Sequence, residues 1–421
     1  MDNPARRCIL LGMGVDFDII IVGGGLNGPA LALALTAGGA RVAVVDARPA
    51  PARGMRGFDG RAYALAAASQ RLLQAIGVWP SLAAHAQPIL QIKTSDGAVG
   101  RGPAPFFLTF DHADLGVGPM GYMVEDRHVY AGFMAALTGA NIPLISGQSV
   151  VAQDTSATAA SVTLQDGRVL RARLIVGCDG RTSSVAQRAG IARWGWEYGQ
   201  TALVTALHHA RPHGGIAHQY FMPAGPLAIL PLAGGHHSSI VWSEQSARAA
   251  QISALDDAGY LAVLRPRFGD FLGDIQLAGA RFTYPLNLTI AKEFTAQRVA
   301  LVGDAAHGVH PIAGQGLNLG LRDVAALAEV LILAARRGED IGAGDVLQRY
   351  QSWRRFDTAV MALGMDSVNR LFSNDNPILR AVRDVGMGAI SAAPALQRAF
   401  MGKAAGLSGR NVPRLLQGQQ I

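Results

Sequence analysis

Two cysteines, Cys8 and Cys178, are all that this chain of 421 residues contains. They form no pair with meaning in the sequence, which excludes a disulfide framework and points to a reducing compartment. Lysine is nearly as scarce. Lys93, Lys292 and Lys403 are the only three, so the net charge of +7 rests on arginine. That skew follows from genome composition at least as readily as from an anionic partner. No stretch interleaves aromatic with basic side chains, so nucleic acid is not an expected partner. No apolar run approaches the roughly 18 residues that a membrane-spanning helix requires. Arg6-Arg7 before Cys8 to Leu11 looks like the start of a secretion signal, but its apolar run is too short and Asp16 and Asp18 follow it. Repeats and low-complexity segments are missing as well. His307 and His310 are spaced like metal ligands without a Cys or Glu to complete the set. The cluster of His208, His209, His213 and His218 lacks a carboxylate, so no metal is expected. What remains is a chain that is half apolar, long enough for a large core and two domains.

The most informative stretch is GDAAHGVHPIAGQGLNLGLRD, residues 303–323. An apolar run, Arg298 to Val302, leads into Gly303-Asp304 as a buried strand runs into a tight turn. The turn puts the Asp304 carboxylate at the edge where an open α/β sheet holds its ligand. Pro311, Gly314 and Gly316 follow, with no charged side chain until Arg322. So glycine-rich a loop lets a flat ligand approach the backbone. Gly316 then opens a long apolar helix that stops at Arg336-Arg337-Gly338. The free N–H groups and partial positive charge at that helix start suit a ligand that becomes negative during a reaction.

A second fingerprint lies at the other end. Phe17 to Val22 reads as a strand, Gly23-x-Gly25-x-x-Gly28 as a tight turn, and Pro29 to Ala37 as an apolar helix stopped by Gly38-Gly39. A second strand, Arg41 to Val45, ends in Asp46. Gly23 makes the turn, Gly25 lets a pyrophosphate reach the helix, and Gly28 packs helix on strand. Asp46 can accept from a ribose diol, so strand, helix and acid together specify a dinucleotide site. Only one such motif is present, so there is no second Rossmann domain for a nicotinamide. Between the two fingerprints, a strand from Arg173 to Gly177 reaches Cys178-Asp179-Gly180, and Ser183-Ser184 cap a short helix. Taken alone, this third piece is an ordinary strand-turn-helix with a capping Asp.

In this order the three motifs resemble the single-component flavoprotein aromatic hydroxylases. More narrowly, HPIAGQGLNLGLRD (310–323), GYMVEDR (121–127), RPHGG (211–215), GPLAILPL (225–232), RLFSNDNP (370–377) and GLSG (406–409) resemble the ubiquinone-biosynthesis hydroxylases. The resemblance runs from about residue 17 to 417. Asp46 departs from it, since such families more often carry Glu there. The resemblance implies an FAD cofactor, NAD(P)H as a transient reductant, O2, and a polyprenylated phenol hydroxylated on its ring. It implies cofactor contacts at Gly23, Gly25, Gly28, Asp46, Asp179, Gly303, Asp304, Pro311, Gly314, Gly316, Leu317 and Asn318. Arg61, which a helix is expected to follow, would reach towards the flavin, and Arg127 towards its phosphate-ribityl region. A base for the phenol is not identified; His310, Tyr220 and Tyr284 are candidates.

The fold expected is α/β, a discontinuous Rossmann-like FAD-binding domain at 17–90, 120–191 and 280–340. An inserted antiparallel β-sheet substrate domain would occupy 91–119 and 192–280, with Tyr220-Phe221 and Ile240-Val241-Trp242 in strands. A helical region is expected from 341 to 421. Trp194-Gly195-Trp196 reads as packing aromatics. An isoprenoid-lipid reductase or dehydrogenase, or a non-catalytic flavoprotein in a quinone-biosynthesis complex, would share part of these motifs. A cytoplasmic protein with peripheral contact to the inner face of the membrane is expected. The basic and apolar segment 377–410 would make that contact.

Overall fold

The computed structural model describes residues 14–49, 57–100, 102–103, 108–114, 116, 118–309, 315–372, 401–402, 405–406 and 412–421. Its first sheet is built on β1 (Phe17–Val22), which lies between β2 (Val42–Asp46) and β3 (Val169–Gly177), parallel to both. β4 (Val299–Leu301) pairs in parallel with the end of β3, and Leu144–Ser146 adds an edge beside β2. Ile19, Ile20 and Ile21 are completely buried. An uninterrupted apolar strand is what a central parallel position demands, because helices cover both faces. The first half of β3 also pairs antiparallel with Ala160–Leu164, which in turn pairs with Val150–Thr155.

Five helices matter for the site. α1 (Asn27–Ala37) is buried from Gly28 to Leu35, because it is wedged against α2 (Asp126–Gly139) and α4 (Gln315–Arg336). α3 (Ser184–Arg188) follows β3, and α5 (Gly344–Phe372) packs on α4. Two glycines place the beginning of α1. A side chain on Gly28 would run into the Gly23 carbonyl, and one on Gly23 (φ +114°) into the Cys178 carbonyl. Helix and strands therefore touch backbone to backbone.

Among the described residues the second sheet has ten strands, and it centres on the long strand Arg193–His209. His237–Gln245 and Phe282–Ala291 flank it antiparallel. The strand Phe282–Ala291 belongs to this sheet although it falls in the stretch 280–340. Tyr220-Phe221 lie in Ile216–Met222, and Ile240 to Trp242 in His237–Gln245. The sheet is not wholly antiparallel, because Ile216–Met222 pairs in parallel with Gln91–Ala98. These two strands are far apart in sequence, so no hairpin turn fixes their relative direction. Helices Ser246–Ser253 and Asp257–Phe268 cover one face, where Tyr220, Trp242, Tyr260 and Phe268 form a core.

A small sheet of Ala62–Ala66, Gly121–Glu125 and Gln87–Ile89 sits between the two large ones. Neighbouring residues of one strand serve different cores: Val124 packs with the first sheet, and Met123 with Ala206, Ala217 and Leu232 of the second. The period-two alternation of a strand makes this bridging possible. No described helix is long and apolar enough to cross a membrane. Segment 377–410 lies almost entirely outside the described residues.

Candidate cofactor and active site

The three sequence fingerprints meet at the C-terminal edge of the first sheet. Gly23 donates its N–H to the Val45 carbonyl at 2.7 Å, and Cys178 donates to Val22 at 2.7 Å. The turns after β1 and β3 are thus laid side by side. Gly25 differs from its neighbours, because a side chain added there would meet nothing within 4 Å. The space in front of α1 is open where a pyrophosphate needs it. Asn27, the first residue of α1, is enclosed by Gly303 and Gly320, and its Oδ1 is buried without a hydrogen-bond partner. Asp46 is buried beside Gly24 and accepts the Arg48 N–H at 3.1 Å.

β4 delivers Gly303 (φ +63°) and Asp304 to the same place. The Asp304 carboxylate is partly exposed and accepts from Arg181 Nε at 3.1 Å. Arg181 also donates to Asn287 Oδ1, and Arg193 donates to the Asp304 carbonyl at 3.0 Å. Two arginines absent from the sequence reading therefore steady this turn. Arg181 follows the Asp179-Gly180 turn directly, which is the signal that could have found it.

Four expectations take a different form. Asp179 caps α3: Oδ2 accepts the N–H groups of Ser184 at 2.7 Å and Val185 at 3.1 Å, and Oδ1 accepts from the Ser183 hydroxyl at 2.5 Å. A carboxylate saturated at a helix start is a cap, because the first N–H groups of a helix have no partner within it. Asn318 is likewise engaged within the protein. Its Oδ1 accepts from Ala66 N at 2.8 Å and from the Ser69 hydroxyl at 2.7 Å, while Nδ2 donates to Ala64 at 2.8 Å. Asn318 thereby fastens the first turn of α4 to the strand Ala62–Ala66. That strand, and not a helix, follows Arg61; the helix begins only at Ala67. Tyr220 is buried in the second core, where desolvation pushes its phenol well up and makes it a poor base at neutral pH.

Arg61 is half-buried and structured. It donates to Asp59 at 2.8 Å, lies 3.3 Å from Asp126, and stacks over the Phe282 ring. The hydrogen bond to Asp59, then the charge of Asp126, hold its guanidinium protonated at any physiological pH. Arg127 sits in the first turn of α2, donating to Glu125 at 2.6 Å over Phe58. Tyr284 is exposed. His310, Pro311 and Gly314 lie outside the described residues, whereas Gly316 and Leu317 fall in the first turn of α4.

His307 is fully buried, and its Nε2 meets Asp323 Oδ2 at 2.5 Å. His209 and His213 are also buried, on carbonyls of Arg211 and Leu232. Trp194 and Trp196 pack as a tilted pair, and Trp196 donates to Asp366.

Comparison with known proteins agrees with this geometry. Residues 16–361 match the model of the FAD binding domain family. The chain is 44% identical over 406 residues to the ubiquinone hydroxylase UbiL of Rhodospirillum rubrum, covering 95% of this chain and 92% of that protein. It is 37% identical to the 3-demethoxyubiquinol 3-hydroxylase of Escherichia coli, covering 93% of this chain and 98% of that protein. Among solved structures, p-nitrophenol 4-monooxygenase PnpA from Pseudomonas putida superposes with a TM-score of 0.77 at 21% identity, covering 95% of this chain and 100% of that one. At that identity the likeness speaks for the fold alone.

Proposed function

Because this chain belongs to the FAD-dependent monooxygenases, and within them to the ubiquinone-biosynthesis hydroxylases, we propose that it hydroxylates the aromatic ring of a polyprenylated phenol, using NAD(P)H and O2. The observation that carries this reading is the near-full-length likeness to two ubiquinone-pathway hydroxylases. The residues at the sheet edge fit FAD. The open space at Gly25 and the unpartnered Asn27 Oδ1 lie where a pyrophosphate and its neighbouring hydroxyls would be received.

In this reading the N–H groups at the start of α1 hold the pyrophosphate, Asp46 holds the ribose diol, and Asp304 accepts a ribityl hydroxyl. The first turn of α4 would lie against the isoalloxazine, where its partial positive charge would favour the reduced, anionic ring. Bound FAD would supply the redox chemistry, with two electrons from NAD(P)H, one oxygen atom of O2 entering the phenol ring and the other leaving as water. The protein holds the ring in place and excludes water. Arg61, fixed by Asp59 and Asp126, supplies a permanent cation near the reacting groups. Residues 17–90, 120–191 and 280–340 form the cofactor-binding part, except the strand Phe282–Ala291, which joins 91–119 and 192–280 in the substrate-covering part. Expression in strains blocked at each ring-hydroxylation step tests the function. Restored quinone in one strain supports it, and restoration in none contradicts it.

The substrate's lipid tail sets where the enzyme works. Each methylene left in the bilayer is worth about 0.8 kcal/mol, so the tail does not enter water unaided. The enzyme therefore docks on the membrane or receives its substrate within a quinone-biosynthesis complex. Segment 377–410, with five basic residues against Asp384, is the element proposed to dock.

A further inference from the structure

Beneath the Gly303-Asp304 turn lies a charged cluster to which the reading above gives no role. Asp323, on α4, is completely buried, as is His307. Asp323 Oδ2 accepts the backbone N–H of Gly303 at 3.0 Å and meets His307 Nε2 at 2.5 Å. Its Oδ1 accepts from Arg354 Nε, on α5, at 2.7 Å. Arg354 is itself buried, and its other nitrogens reach Asp357 at 2.5 Å and Thr358 at 3.4 Å. One carboxylate thus collects donors from the turn, from the residue four positions further on, and from a separate helix.

A buried carboxylate is costly unless its lone pairs are filled, and here both oxygens are engaged. The placement of those donors is informative. Gly303 has positive φ and presents Asp304, so the backbone bond to Asp323 sets the direction in which Asp304 points. His307 closes the other side of the same turn. Because Asp323 sits on the helix whose first turn faces the same site, one rigid element carries both the helix terminus and the anchor of the opposite wall.

We propose that Asp323 is the positioning residue of the cofactor site, fixing the Gly303-Asp304 turn through its carboxylate, with His307 as second donor and Arg354 as counter-ion. This rests on FAD binding at Gly303-Asp304. Asn at position 323 keeps the shape but turns an N–H2 towards donors that need an acceptor.

Purified protein, stripped of flavin and titrated with FAD by fluorescence quenching, tests the proposal. Asp323→Asn weakens FAD by about tenfold or more, the loss expected for a hydrogen bond to a charged group. Asp340→Asn is the control. Asp340 pairs with the buried Arg298 on another side of the sheet, so this variant lowers the melting temperature but leaves FAD affinity alone. Equal effects of the two variants on affinity overturn the proposal, because they reduce Asp323 to general stability. Should Asp323→Asn fail to fold, two changes at His307 decide. His307→Gln retains a donor and recovers most of the affinity that His307→Leu loses. A purely space-filling role would tolerate Leu as well as Gln, and that result also overturns the proposal. Wild-type protein that takes up no FAD at all sinks the reading of the site itself, a distinct outcome.

Discussion

A carboxylate proposed to hold a ribityl hydroxyl cannot be left to swing. Asp304 is steadied by Arg181 on its Oδ2 and by Arg193 on its backbone carbonyl. Asp304→Ala should therefore lose flavin, since removing a charged acceptor costs about 1.5–3 kcal/mol; the flavin released on denaturation, measured per mole of protein, checks it. Arg61 sits differently, already satisfied by Asp59 and Asp126 and laid over Phe282. Arg61→Ala is expected to keep FAD while slowing its reduction by NADPH or diverting turnover to hydrogen peroxide. Stopped-flow absorbance and a peroxide assay read the two effects separately, and unchanged values for both would return Arg61 to a structural part. Asp179 and Asn318 show why residue roles are hard to read from a string. Both occupy motif positions, yet one caps a helix and the other ties α4 to a strand some 250 positions away in sequence.

At the scale of elements, the strand-turn-helix at the start of the chain was legible almost to the residue. Its cause is local: an all-apolar strand, three glycines and an apolar helix within about twenty positions. Gly28→Ala tests how tightly this unit is built. The added methyl meets the Gly23 carbonyl, and overpacking of this kind costs about 1–3 kcal/mol along with the dinucleotide turn. Thermal melting with and without FAD measures both losses. The second sheet was legible as strands but not as a pairing scheme. Nothing near Gln91 announces a parallel partner at Ile216, because that choice is made by long-range packing. Asp323 escaped for a related reason. Its signal was present, an acid on the buried stripe of an apolar helix, but its partners Gly303 and Arg354 come from other elements.

The second sheet also carries histidines whose burial has a consequence for pH. Desolvation lowers the proton affinity of His209 and His213, and desolvation followed by the charge of Lys93 pulls His218 down to about 4. Folded protein therefore holds these rings neutral while the unfolded chain would protonate them near 6.5. Their contribution to stability is whole above that value and falls as pH drops from about 6.5 towards 4. The melting temperature should fall over that interval, and His218→Gln should flatten part of the slope. A melting temperature independent of pH across it would contradict the assignment.

For the whole molecule, two large sheets meet across a small third one, and the fingerprints converge in front of the first. A polyprenylated substrate, as proposed above, would require a route from the bilayer to this site. Flotation with anionic liposomes should recover the full-length protein but not a form with Arg380, Arg383 and Lys403 changed to Glu. Equal recovery of both forms, or of neither, would count against segment 377–410 as the docking element. One measurement reaches the chemistry of ring hydroxylation directly. Purified FAD-loaded protein is given NADPH, isotopically heavy O2 and a short-chain prenyl phenol, and the product is weighed by mass spectrometry. One heavy oxygen atom on the ring for each product molecule, with no product under nitrogen, is the predicted result. NADPH consumption that proceeds without O2 and leaves the ring unhydroxylated would identify a reductase and contradict the account.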